Sequence, residues 1–466
     1  MKRLALLTLA GLASILCLGA VAGPAAAKPA LKNCDIGANE LFRCGHIMQP
    51  AVAGMPELGK QKIGFAIRPR GDRSRPSKGA IVFIEGGPGY AATNADSIKP
   101  MGAVFGPFLR RRELIAIDQR GTGISSALDC KELQRGRVPQ QRALRACANK
   151  LGPKYQGYTT AQSAADVEAV RRALGLPKKK MILYGDSYGT YLGQSYAARY
   201  GEGLEGLILS SAYPATEPFW RTLYPAATRA LRLSCKRFPG CSGNAVGRYK
   251  RALKRAGVRS RFTSDIIGYL MGTAPSYSPN GYRDLNAAVS EYLRGDERPL
   301  RELTDPGPPG SGPPGYFSEG MYEAVICNDY PTPWDRHAGI PERRRQFARA
   351  VADFRPASMF APIPKEVWFN DPASDVANCI TWPAPTPRIE PPIPAGAKMP
   401  ARLKTLVLAG EFDAITSAEE ARQVARRFPS GRLTVIPNRG HVSELYYPFE
   451  SRATGRIRHF VRGLIR

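Results

Sequence analysis

Ser187 lies in the run Gly185-Asp186-Ser187-Tyr188-Gly189, between the apolar β-type stretch Met181 to Tyr184 and a segment with helical spacing. A strand that turns sharply into a helix through Gly-x-Ser-x-Gly pushes the serine hydroxyl into the open. The two glycines leave room where backbones must approach closely. A serine placed this way performs nucleophilic attack and carries an acyl group as a covalent intermediate. The pentapeptide alone proves little in a chain with 47 glycines, so the reading rests on its partners. A neutral hydroxyl needs a base. The chain has four histidines: His46, His337, His441 and His459. His441, in Pro437-Asn438-Arg439-Gly440-His441, follows a strand-like run, where a base reaches the top of a sheet. His459 sits among Arg and Phe in the last helical segment and reads as surface or packing. The base in turn needs an acid to set its tautomer. Asp413 fills that role in the loop Gly410-Glu411-Phe412-Asp413, with Glu411 as the rival. A developing oxyanion needs N–H donors. Tyr188 supplies one from its backbone. Gly87, preferred over Gly86, supplies the other from Glu85-Gly86-Gly87-Pro88-Gly89. No cofactor is implied. A metal site is not expected, because there is no Cys-x-x-Cys pair and His46 is isolated.

The elements that must position these residues alternate. Strand patterns run over Ile63 to Ile67, Ala80 to Ile84, Glu113 to Ile117, Met181 to Tyr184 and Leu204 to Leu209. Helical patterns run over Ser163 to Leu174 and Ser187 to Arg199. That alternation predicts a mostly parallel sheet flanked by helices. After Ser211 the chain turns rich in Arg, Tyr, Pro and Gly. Two stretches, Asp305 to Gly315 and Pro383 to Pro400, are too proline-rich for helix or central strand. The α/β pattern then resumes with a strand over Lys404 to Ala409, a helix over Ser417 to Phe428, a strand over Leu433 to Ile436 and a closing helix over Phe449 to Ile465. The order Ser187, Asp413, His441 is that of the α/β-hydrolase fold, not of chymotrypsin or subtilisin. The expected division is a signal peptide over 1–27, a core over 28–213 and 399–466, and a large, mainly helical cap inserted over 214–398.

Lys2 and Arg3, the apolar run Leu4 to Val21 and the small residues Ala25-Ala26-Ala27 read as a secretory signal peptide. A lipid anchor at Cys17 is not expected, because Leu16 stands where a small residue is needed. No later stretch is long and apolar enough to span a membrane. The chain is therefore expected to be secreted or held at the cell envelope. Eight cysteines remain beyond the signal, an even number that favours disulfides in an exported chain. The short spacings suggest Cys34–Cys44, Cys130–Cys147 and Cys235–Cys241, leaving Cys327–Cys379, one of many pairings eight cysteines allow. The net charge of +28 raises the question of nucleic acid. The basic residues are spread along helical faces, and even the dense run Arg248 to Arg261 reads as a solvated surface. Loose adhesion to anionic envelope polymers fits better than nucleic-acid binding.

Three motifs in order carry a resemblance: Glu85-Gly86-Gly87-Pro88-Gly89, Asp118-Gln119-Arg120-Gly121-Thr122-Gly123-Ile124-Ser125 and Gly185-Asp186-Ser187-Tyr188-Gly189-Thr190. Together they resemble the proline iminopeptidase family of serine peptidases. The signal peptide, cysteines and long cap are most similar to its secreted bacterial, tripeptidyl-aminopeptidase-like branch. The resemblance implies Ser187, Asp413 and His441 as a triad, an oxyanion hole at Gly87 and Tyr188, and removal of short peptides or single residues from free N-termini. One departure is Glu85, where proline iminopeptidases carry His; it fits the tripeptidyl branch better. Such an enzyme must hold the substrate's α-ammonium, and a desolvated cation needs a carboxylate. Glu323 and Asp329, in the segment Ser318 to Asp329, and Glu85 are the candidates. An esterase or lipase on the same scaffold is the alternative, and a non-catalytic envelope-binding protein a third reading.

Overall fold

Among the described residues, nine strands form one sheet. They are β1 (Lys32–Cys34), β2 (Phe42–Pro50), β3 (Lys60–Arg68), β4 (Ala80–Ile84), β5 (Glu113–Ile117), β6 (Met181–Asp186), β7 (Gly206–Ser210), β8 (Thr405–Gly410) and β9 (Gly431–Ile436). The computed structural model describes residues 28–37, 41–241, 243–307, 309–386, 389–446 and 451–465. The expected signal peptide, residues 1–27, lies outside them. The spatial order is β1-β2-β3-β5-β4-β6-β7-β8-β9. From β5 to β9 in that order every neighbour is parallel. β1, β2 and β3 extend the sheet antiparallel beyond β5.

β4, β6, β7 and β8 are buried along their whole length. Strands covered on both faces read as continuous apolar runs, which is why these were legible. Alternate residues serve opposite faces. Val82, Ile84, Leu183, Leu207, Leu209 and Val407 pack with the helices Thr160–Ala173 and Tyr188–Tyr200. Ile81, Phe83, Ile182, Tyr184, Ile208 and Leu406 pack with Ala95–Phe105 and Arg452–Ile465. At about 25 cal/mol per Å² of apolar surface, these two layers supply the main driving force of the fold.

Several boundaries differ from expectation. The strand expected from Leu204 begins at Gly206, because Leu204 closes a turn by donating its N–H to the Gly201 carbonyl (3.0 Å). The closing helix is Arg452–Ile465, and residues 449–450 lie outside the described residues. The β1–β2 ribbon was not expected. β2 exposes many of its side chains and lacks the continuous apolar run that marks the inner strands.

Between the hydrogen-bonded neighbours β7 and β8, the described residues form no strand. They form helices that include Leu223–Arg237, Ala245–Ala256, Pro279–Arg294, Glu319–Asp329 and Ile340–Asp353. Their buried side chains join the same apolar cluster as one face of the sheet. Four disulfides are present: Cys34–Cys44 between β1 and β2, Cys130–Cys147, Cys235–Cys241 and Cys327–Cys379. The described parts of Asp305 to Gly315 and Pro383 to Pro400 hold neither helix nor strand.

Candidate active site

Ser187 directly follows β6 and caps the helix Tyr188–Tyr200 with φ 47° and ψ −121°. A non-glycine residue with positive φ stores strain and persists only where its surroundings hold it. Those surroundings are visible. The Ser187 N–H donates to the Ser210 carbonyl of β7 (3.0 Å), and the Thr190 N–H and hydroxyl return to the Ser187 carbonyl (2.9 and 2.7 Å). A Cβ on Gly185 would lie 2.2 Å from the Gly189 carbonyl oxygen, and one on Gly189 would lie 2.5 Å from that of Ile84. Both glycines of the pentapeptide are therefore required by close approach.

Asp413, in the loop after β8, is fully buried. Its Oδ1 accepts the N–H groups of Ile415 (3.0 Å) and Thr416 (2.9 Å). Its Oδ2 accepts the Thr416 hydroxyl (2.9 Å) and lies 2.9 Å from His441 Nδ1. A carboxylate at Nδ1 places the proton there and leaves Nε2 with a lone pair. The His441 loop is pinned by its own backbone, whose N–H donates to the Ser276 carbonyl (2.7 Å). The ring of Tyr277 lies 5.8 Å from the imidazole. Glu411, the rival acid, instead pairs with Arg237 and accepts the Asn438 N–H (3.1 Å). Of the four histidines only His441 is buried; His46, His337 and His459 are exposed.

Ser187 and His441 line one cavity of about 520 Å³, together with Gly86, Gly87 and Glu85. Tyr188 is the first residue of its helix, so its N–H has no intrahelical acceptor and sits at the positive end of the helix dipole. The Gly86 N–H donates to Glu85 Oε1 (3.2 Å). Gly87, with φ 107°, is the next residue of the loop and also lines the cavity.

The second motif positions the first. Gln119 Nε2 donates to the Glu85 carbonyl (2.8 Å), holding the glycine loop. Asp118 accepts the Thr93 N–H (2.9 Å) and hydroxyl (2.7 Å) and the Ile124 N–H (2.7 Å); burial pushes its carboxyl up to about 6. Arg120 forms a buried two-pronged pair with Asp166 (2.8 Å each). These supporting roles were not read from the sequence, although the density of Asp, Gln and Arg beside glycines was the available signal.

The three candidate ammonium ligands separate. Glu85 lines the cavity. Glu323 and Asp329 are not among its lining residues. Glu323 is buried, bonded by Gln140, and faces Asp375 and Glu319. Asp329 accepts the Thr160 N–H (2.5 Å) at the start of a helix, and lines a different cavity with Arg336. Tyr191 stacks between Tyr188 and Tyr330, and its hydroxyl donates to the Asp329 carbonyl (3.4 Å). Among the described residues, Glu323, Cys327 and Cys379 lie close enough to hold a metal ion. The two sulfurs are joined in a disulfide and do not offer thiolates.

A parallel sheet carrying a serine at a strand-to-helix turn, with an Asp-His pair after its later strands, is an α/β-hydrolase fold. The α/β hydrolase fold family matches residues 79–253, and the family described as TAP-like protein matches residues 365–453. The chain has the α/β-hydrolase fold, and its C-terminal part is similar to the TAP-like family. It is 24% identical over 438 residues to a tripeptidyl aminopeptidase of Streptomyces coelicolor, covering 84% of this chain and 76% of that protein. It is 27% identical over 319 residues to the serine protease Hip1 of Mycobacterium tuberculosis, covering 62% and 57%. It is 27% identical over 399 residues to carboxylesterase B of the same species, covering 76% and 73%. Among solved structures, the proline iminopeptidase of Mycobacterium smegmatis matches 90% of this chain and 98% of that one, at 16% identity and a TM-score of 0.41.

Proposed function

We propose that this hydrolase is an exported serine exopeptidase. It releases short peptides, tripeptides on the pattern of the Streptomyces relatives, or single residues from free N-termini. The observation that carries the reading is the buried 2.9 Å contact of His441 Nδ1 with Asp413, at the cavity that also holds Ser187. His441 Nε2 takes the proton of the Ser187 hydroxyl as Oγ attacks the scissile carbonyl. The oxyanion is met by the N–H groups of Gly87 and Tyr188. His441 then gives the proton to the leaving amine, and the peptide C–N bond breaks. Water, activated by the same imidazole, attacks the acyl ester, and the acid product leaves with Ser187 restored. Residues 214–398 act as a cap that decides what enters. Export is supported by the eight described cysteines, all paired in disulfides. The charge of +28 suits loose adhesion to an anionic envelope.

An esterase is the second reading, favoured by the likeness to carboxylesterase B, because esters share the acyl-enzyme route. The test compares a tripeptide p-nitroanilide bearing a free N-terminus with its N-acetyl twin. The exopeptidase reading expects at least tenfold higher kcat/KM for the free form. Equal cleavage of both, or hydrolysis of nitrophenyl esters alone, contradicts it.

A further inference from the structure

Two carboxyls stand side by side next to the nucleophile, and the mechanism above uses neither. In the parallel pair β4–β6, Ile84 is the register partner of Gly185. The next residues, Glu85 and Asp186, therefore leave neighbouring strands at the same edge of the sheet. They continue the rows Ile81, Phe83 and Ile182, Tyr184, which face the helices Ala95–Phe105 and Arg452–Ile465. Asp186 is 1% exposed and Glu85 8%. Asp186 adjoins Ser187 in sequence. Gly86, next to Glu85, sits so close that a Cβ there would lie 2.8 Å from the Ser187 Cβ.

No cation answers this pair. Among the described residues neither carboxyl makes an ion pair, and Glu85 Oε2 and both Asp186 carboxyl oxygens accept no hydrogen bond. Burial pushes both carboxyls above their ordinary range, and for Asp186 the neighbouring Glu85 and Glu444 add to the rise. Glu444 is itself engaged by the Tyr184 hydroxyl (2.6 Å). Burying two carboxylates with no cation, and with the Gly86 N–H on Glu85 Oε1 but no donor on Glu85 Oε2 or Asp186, is costly, so the site gains from a positive charge brought to it.

The cavity is built to admit one. Its wall includes Asp96 as a third acid and Lys99 as its lysine, with rings from Tyr90, Tyr277, Tyr316 and Tyr446. Tyrosine faces attract organic cations. We propose that Glu85 and Asp186 form a paired anionic site that binds the primary ammonium group of the substrate, with the tyrosines enclosing it. The inference rests on the exopeptidase reading; of its three candidate carboxyls it keeps Glu85, and it adds Asp186 as the partner at the edge of the sheet.

The test measures KM and kcat for Glu85→Gln and Asp186→Asn on the free and N-acetylated tripeptide p-nitroanilides and on p-nitrophenyl acetate. For the free peptide, KM rises at least tenfold in each variant, while turnover of the neutral ester stays within about threefold of the parent. An unchanged KM for the free peptide overturns the proposal. An equal loss on the ester also overturns it, since that result marks residues that only hold Ser187 in place. A measurement on the unaltered enzyme guards against misfolded variants: butylammonium and 1-pentanol are compared as competitive inhibitors of p-nitrophenyl acetate hydrolysis. The amine inhibits at a concentration at least tenfold lower; equal inhibition overturns the site. Equal cleavage of free and acetylated peptides by the unaltered enzyme would instead count against the exopeptidase reading, whatever the amine does.

Discussion

Asp413 receives its three donors and the imidazole on a side chain that is entirely buried. Glu411, two positions earlier, spends its carboxylate on Arg237 at the surface. The two acids therefore predict opposite results. Asp413→Asn keeps the shape and loses the charge and tautomer control, so kcat should fall about 10⁴-fold. Glu411→Gln should change kcat less than about tenfold. Comparable losses in both would mean that the acid has been misassigned. Sequence order and loop placement were enough to bring Ser187, Asp413 and His441 into one argument, because each stands just after a strand pattern. They do not say which way the acids in Glu319–Asp329 face. Which side of that helix meets the cavity depends on packing between the Tyr188, Tyr191 and Tyr330 rings and on the bond from Asp329 to the Thr160 N–H. Nothing in a local pattern encodes that.

At the scale of elements, the loops that carry Asp413 and His441 are held by backbone contacts that only glycine permits. A Cβ on Gly440 would lie 1.6 Å from the Ser276 carbonyl oxygen, the acceptor of the His441 N–H. Gly410 meets the Gly440 carbonyl in the same way, at 2.0 Å. Gly440→Ala should therefore displace the imidazole. Activity falls at least about 100-fold, the cost of a misplacement near 1 Å, while the far-ultraviolet circular dichroism spectrum is kept. Full activity in this variant would show that the loop is not held by Ser276. The inner strands were legible because burial on both faces makes them uninterrupted apolar runs. β1 and β2 were not, because an antiparallel ribbon at the sheet's edge exposes many of its side chains and draws stability from a disulfide between its strands.

The whole molecule buries an unusual set of acids, and their linkage to folding sets its pH response. Burial pushes Asp118 and Asp329 up to about 6 and Glu420 up to about 7. A carboxyl that holds its proton more tightly in the folded state favours folding below its ordinary pKa, and that advantage is lost as pH rises through the folded value. Glu168 is the opposite case. Burial works against it, but Arg171, Arg172 and Tyr196 outweigh burial and hold it down to about 2. Its contribution is present above the ordinary carboxylate range and is lost as pH falls towards 2. The two windows leave greatest stability at mildly acidic pH. The melting temperature should be higher at pH 5 than at pH 8 by about 2 °C or more, the shift expected for a change of about 2 kcal/mol in a chain of this length. A melting temperature that is flat or rises towards pH 8 contradicts this. Composition and charge were legible at this scale, and so was the restart of the α/β pattern after Pro400. The buried acids were not, because an acid's burial depends on neighbours far away in sequence.

The central claim is that Ser187 attacks with His441 as its base. A serine-directed fluorophosphonate, followed by peptide mass mapping, tests it most directly. One adduct should form on the peptide containing Ser187, and labelling should vanish in Ser187→Ala and slow at least about 100-fold in His441→Ala. An unlabelled enzyme, or an adduct on any other residue, would contradict the account.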